Sequence, residues 1–294
     1  MNPTFWTTFW TNTIWFILLF LTSIITNVII LKKSNNFKFD LAFLFSIIGL
    51  SFIFEAGLVL RLNAYSYYPK IFRDTYLDII FGNYFSQISV STTALLLASK
   101  NLSFIWYGAF GLIYYFIEVI FLKLGIYEHF WYKSYYTFFG FILFSRIAKK
   151  WYKIAKKYTS KFINYITLYF SVASFSTFTI FLGQRLLGIQ IYKSNVFFTD
   201  MNKNNTSTGF LYQFIIFNYL IPLYKSKLHW VLKTIALSYL FLAQYLAYRA
   251  GFIYIHKGLF FIVTSLDLIG CYFLIAVFDY LLFSNNKPTG DGKN

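Results

Sequence analysis

The stretch YLDIIFGNYFSQISVSTTALLLA, Tyr76 to Ala98, decides how the chain is read. It is long and apolar enough to cross a bilayer as a helix, for which roughly 20 residues suffice. It is also too polar to face lipid all the way round. At helical spacing Asp78, Gly82, Ser86, Ser89 and Thr93 share one face, and Asn83, Gln87 and Ser91 lie beside them. Lipid offers such a stripe no hydrogen bonds, so it must turn toward other helices or a wet cavity. An inner helix of a multi-pass bundle is expected.

Composition extends this to the whole chain. Of 294 residues, 58% are hydrophobic and 24% aromatic, and only 12% are charged. A soluble domain needs more charged surface. The formal net charge of +16 sits in short segments between apolar runs. That is the bias of cytoplasmic loops and gives no basic domain for nucleic acid. The single cysteine, Cys271, excludes an intrachain disulfide and a cysteine-based zinc site.

The expected fold is all-α, a polytopic transmembrane helix bundle forming one membrane domain over 1–283, with a polar tail at 284–294. The first thirteen residues carry no basic side chain, so a secretory signal peptide is not expected. Spans are placed at about 13–31, 41–60, 76–98, 102–122, 131–148, 162–182, 210–224, 230–248 and 259–283. The fifth and seventh are marginal, so eight spans is the alternative. Lys32, Lys33 and Lys38 directly follow the first span, which puts the N-terminus outside and, with nine spans, the C-terminus inside. The basic stretch 146–161 is expected on the inner side near anionic lipid headgroups. Residues 183–209 read as a polar loop, in which Asn204 and Asn205 begin weak glycosylation-like text.

Several residues recur 127 positions apart: Tyr65 with Tyr192, Gly82 with Gly209, Lys100 with Lys227 and His129 with His256. The expectation drawn from them is two parallel four-helix repeats, 41–148 and 168–275, plus one extra helix. Chance matching in so Tyr- and Ile-rich a chain is the alternative.

An ionisable group inside a membrane is costly and therefore a functional candidate. Glu55, Asp78, Glu118 and His129 fall toward the outer ends of four consecutive spans, with Asn83 and Gln87 on the polar helix. Gln184, Arg185, Gln244 and His256 fall at comparable depth in the second half, and Asp267 lies within the last span. An outward-facing polar vestibule follows, unless these groups merely pair at the interface with Arg61 and Arg73. No close pair of metal ligands, phosphate loop or nucleophile motif is present, so no metal, cofactor or catalytic residue is expected. Glycines 108 and 111, and Gly82 with Ser86, suggest close helix packing.

Two stretches, YYPKIFRDTYLDIIFGNYFSQ (Tyr67–Gln87) and LKLGIYEHFWYKSYYT (Leu122–Thr137), resemble uncharacterised multi-pass membrane proteins of endospore-forming, low-GC Gram-positive bacteria. The resemblance implies a bacterial cell membrane and carries no residue roles. A small-solute or ion transporter is the leading functional expectation. A non-catalytic sensor, receptor partner or envelope scaffold is the alternative, and a lipid-modifying enzyme ranks last.

Overall fold

The computed structural model describes residues 3–178, 186–193, 197–256 and 258–284. The chain forms two compact units, Met1–Asn164 and Tyr165–Ser284. It is all-α apart from four three-residue strands among the described residues.

In the first unit a short helix, Pro3–Thr8, and a wider π-turn, Phe9–Thr13, lead into α1, Ile14–Lys32. Helix α2, Phe37–Glu55, continues through a second π-turn, Ala56–Arg61. Strand β1, Tyr65–Tyr67, helix α3, Thr75–Ser99, and helix α4, Phe104–Lys123, come next. Strand β2, Tyr127–His129, and helix α5, Ser134–Lys156, complete the unit. The strands pair antiparallel, Tyr65 opposite His129 and Tyr67 opposite Tyr127.

Helix α3 is the inner one, packed against α1, α2 and α5. Its polar stripe finds partners on these neighbours and on α4. Thr92 accepts from Asn27 of α1 at 2.8 Å, and Ser89 and Thr93 hydrogen-bond Tyr114 of α4 at 3.0 and 2.8 Å. The hydrophobic effect does not drive helices together in lipid, so close packing and such pairs, each about 1 kcal/mol or less, fix the register. Gly82 matters for a steric reason. A Cβ there would meet the Tyr67 Cβ at 2.5 Å, so its absence lets β1 cross the helix. Gly111 admits Phe138 of α5, whereas Gly108 faces open space.

The second unit comprises α6, Lys161–Ser176 (its first residues belonging to the first unit), β3, Gln190–Tyr192, α7, Met201–Lys225, α8, Trp230–Arg249, β4, Ile253–Ile255, and α9, Phe260–Phe283. Its helices repeat those of the first unit in length and order: α3 and α4 recur 126 residues on as α7 and α8. The caps recur too. Asp74 accepts from the Leu77 N–H and Asp200 from the Lys203 N–H. Gly125 and Gly251 end α4 and α8 at φ of +67° and +79°, a backbone that glycine adopts without strain. The helices therefore match at 126, not at the 127 of the sequence pairs.

Two sequence expectations are corrected. Helix α7 begins at Met201 rather than Phe210, because Asp200 caps it. The Asn-rich text is its first turns, and Asn204 and Asn205 are both 1% exposed, so neither is a surface glycosylation acceptor. The basic stretch after Arg146 is helical, as its sequence suggests, and carries α5 on to Lys156. Trp151, Tyr152 and Ala155 bury one face of it, and the Tyr152 hydroxyl donates to buried Asp40 at 2.6 Å.

Among the described residues, five helical segments are long and apolar enough to cross a membrane: Trp6–Lys32, Phe37–Arg61, Phe104–Lys123, Trp230–Arg249 and Phe260–Phe283. Large apolar side chains project outward from them, Ile25 of α1, Phe116 of α4 and Leu266 of α9 among them. The protein is a membrane protein by this measure.

Candidate functional site

The first unit encloses a cavity of about 250 Å³ between α2, α3, α4 and α5, roofed by the two strands. Two carboxylates line it, Glu55 and Glu118, with Gln87 beside them. Glu55 ends the regular part of α2, where the chain widens into a π-turn, a device frequent at functional positions. Its Oε1 accepts from the Tyr65 hydroxyl at 2.7 Å and the Gln87 amide at 2.8 Å, and its Oε2 accepts from the Asn83 amide. The helical spacing of Asn83 and Gln87 on α3 brings both amides to one carboxylate.

Glu118 is held differently. Its Oε2 accepts from the Thr137 hydroxyl of α5. Its Oε1 stands 2.9 Å from His129 Nε2, but the two are not aligned as a hydrogen bond, and both atoms are buried without another partner. Burial, and after it the Lys133 ammonium, hold the His129 pKa below its ordinary value. Four tyrosines, 65, 67, 127 and 132, form the roof, with ring centroids 4.8 Å apart for Tyr65–Tyr132 and for Tyr67–Tyr127. Burial is the main cause raising the pKa of Tyr65, Tyr67 and Tyr127 well above the usual phenol range, so they remain neutral.

Glu55, Asn83, Gln87, Glu118 and His129 are thus brought together. Asp78 is not among them. Its carboxylate accepts from the backbone N–H of Lys70 and Ile71, both at 2.7 Å, and of Phe72 at 3.1 Å, and so ties down the loop before α3. Asn204, its counterpart 126 residues on, accepts from the N–H of Phe197 and Phe198 in the same way.

His256 and Asp267 belong to the second unit. His256 lies just past β4 and is exposed. His129 sits within β2, and at the helical offset its counterpart is Ile255. A one-residue shift turns a strand side chain to the other face, so the two histidines occupy unlike places. Asp267 is 8% exposed on α9. Near it the second unit holds Tyr192, Tyr212 and Cys271, with the Gln244 amide donating to the Tyr212 hydroxyl. Residues 184 and 185 lie outside the described residues.

Sequence reasoning missed the tyrosine roof and Thr137. Tyr65, Tyr67 and Tyr127 alternate in text too short to read as strands, and only the spacing hints at shared faces. The Asp40–Tyr152 contact was missed as well, since it joins residues 112 apart.

These features define a two-unit helical membrane protein with an acidic, tyrosine-roofed cavity in its first unit. No family model matches the chain, and neither the curated proteins nor the solved structures provide a match. The functional reading therefore rests on the residues themselves.

Proposed function

We propose that the protein binds a small solute in the first-unit cavity and carries it across a bacterial cell membrane. The observation that supports this most is the placement of two carboxylates, Glu55 of α2 and Glu118 of α4, in the lining of one cavity. Acidic side chains within a membrane helix are disfavoured by about 2.5–3.5 kcal/mol each on insertion scales. Retaining two at a shared void, one with a buried oxygen that faces His129 Nε2 without an aligned hydrogen bond, favours a role toward a ligand over helix glue.

In this reading each of α1 to α9 crosses, with the N-terminus outside and the C-terminus inside. The matching frames of the two units reflect duplication of a four-helix unit. Exposed Arg146, Lys150 and Lys153 on α5 then face anionic headgroups on the inner side. The resemblance to membrane proteins of endospore-forming bacteria fits the same setting.

Charge movement on solid-supported membranes tests the reading, with proteoliposomes challenged by panels of amines, amino acids and inorganic cations. Wild type is expected to give a solute-dependent current that Glu118→Gln reduces at least tenfold at equal protein content. Stability of that variant should change by less than about 1 kcal/mol, because glutamine keeps the acceptor for Thr137. Equal currents in both proteins would remove Glu118 from the transport path, and none with any solute would favour a scaffold or sensor.

A further inference from the structure

We propose that the solute of this cavity is an organic cation, an alkylammonium with an apolar substituent, that enters sideways from the lipid between α2 and α5. The inference deepens the solute-binding reading and rests on it.

Charge comes first. Among the described residues lining the cavity none is lysine or arginine, and two are glutamates. The neighbouring tyrosines of the roof stay neutral, so the charged groups on the wall are acidic, set among ring faces, hydroxyls and the Gln87 amide. An anion would meet repulsion and find no cation to hold it.

Shape comes second. The electron-rich faces of Tyr65, Tyr67, Tyr127 and Tyr132 crowd one end, with Tyr65 and Tyr127 centroids 5.3 Å apart. Aromatic walls with a carboxylate beside them are how ammonium groups, quaternary ones included, are recognised. A bare metal ion fits poorly. Among the described residues no three histidine, cysteine or acidic groups come close enough to hold one.

The third observation is the buried Glu118 Oε1, which has no aligned donor. An ammonium N–H would supply one, and a quaternary head would offer charge without the hydrogen bond. Both are stronger in a low-dielectric void than in water.

The mouth indicates the route. Phe54 on α2 and Leu143 on α5 both line the cavity and are 52% and 62% exposed on the outside of the unit. In a bilayer that outside is lipid. An apolar tail can therefore lie toward Phe54, Leu143 and Ile147 while the head reaches the carboxylates. The cationic group could belong to a free amphiphilic amine or to an amine-bearing lipid headgroup, and the test separates them.

The full chain in phosphatidylglycerol nanodiscs is titrated by calorimetry with hexylammonium, hexyltrimethylammonium, hexanol and hexanoate, with empty nanodiscs as the blank. The two cations are expected to bind at least tenfold more tightly than hexanol, and hexanoate not at all. Glu118→Gln should weaken hexylammonium binding at least tenfold, and Leu143→Trp should slow or block it. Repeating the titration with phosphatidylethanolamine present identifies the source. Weaker apparent binding of the probe points to the lipid headgroup, and unchanged binding points to a free amine. If hexanol or hexanoate binds as well as the cations and Leu143→Trp still blocks it, the cavity remains a solute site and the cation assignment is wrong. Binding by none of the four probes would overturn both.

Discussion

Glu118 on α4 and Gln244 on α8 stand at matching places, 126 residues apart, yet one faces a cavity with an oxygen that accepts no aligned hydrogen bond and the other gives its amide to a tyrosine. Around them the two units share helix lengths, aspartate caps, glycine terminators and the backbone-holding residue at 78 and 204. The frame is common and the polar filling differs. The parts that hold backbone are the ones repeated, and the parts that face the interior are free to diverge.

The largest expected effect comes from the shared backbone holder. Asp78→Ala leaves three N–H groups without their carboxylate and should cost about 3 kcal/mol, whereas Asn204→Ala removes two neutral bonds and should cost about 1–2 kcal/mol. Unfolding in mixed detergent micelles reads both. If the two costs are equal, the charge on Asp78 contributes nothing and it is simply another loop acceptor.

A smaller effect marks where the units part. Gly82→Ala should destabilise by about 1–3 kcal/mol, since β1 or Tyr67 must shift. The residue 126 positions on is Thr208, so Thr208→Gly should cost less than about 1 kcal/mol. A tolerated Gly82→Ala in the same micelle assay would mean that β1 does not cross α3 closely. The smallest pair should come out equal: Asp74→Ala and Asp200→Ala each remove one N-cap, at about 1 kcal/mol. Unequal cap costs would show that the common frame is less uniform than its hydrogen bonds.

Much of this was legible in the sequence. The polar stripe of Tyr76–Ala98 required an inner helix, and Asn83, Gln87, Glu55 and Glu118 could be assigned to one cluster because membrane helices run side by side. Asp78 looked equally suited, but its partners are backbone groups of a loop, and no residue type records where a loop's N–H groups point. The start of α7 was missed because asparagine and threonine read as loop. Asp200, at the same offset as Asp74, was the available signal. The histidine pair failed for a different reason: a lag of one position is harmless in composition but reverses the face of a strand.

The pairing of β1 with β2 also sets an order of events during synthesis. Chains emerge N-terminus first, so Tyr65 and then Asn83 and Gln87 reach Glu55 while α4 is still unmade. Glu118 has no such early company, because His129 and Thr137 both follow it. The roof closes only when Tyr127 arrives opposite Tyr67. A ribosome pausing before residue 127 would thus hold an open groove with one acid already satisfied, and the second acid enters the membrane ahead of every group that will hold it.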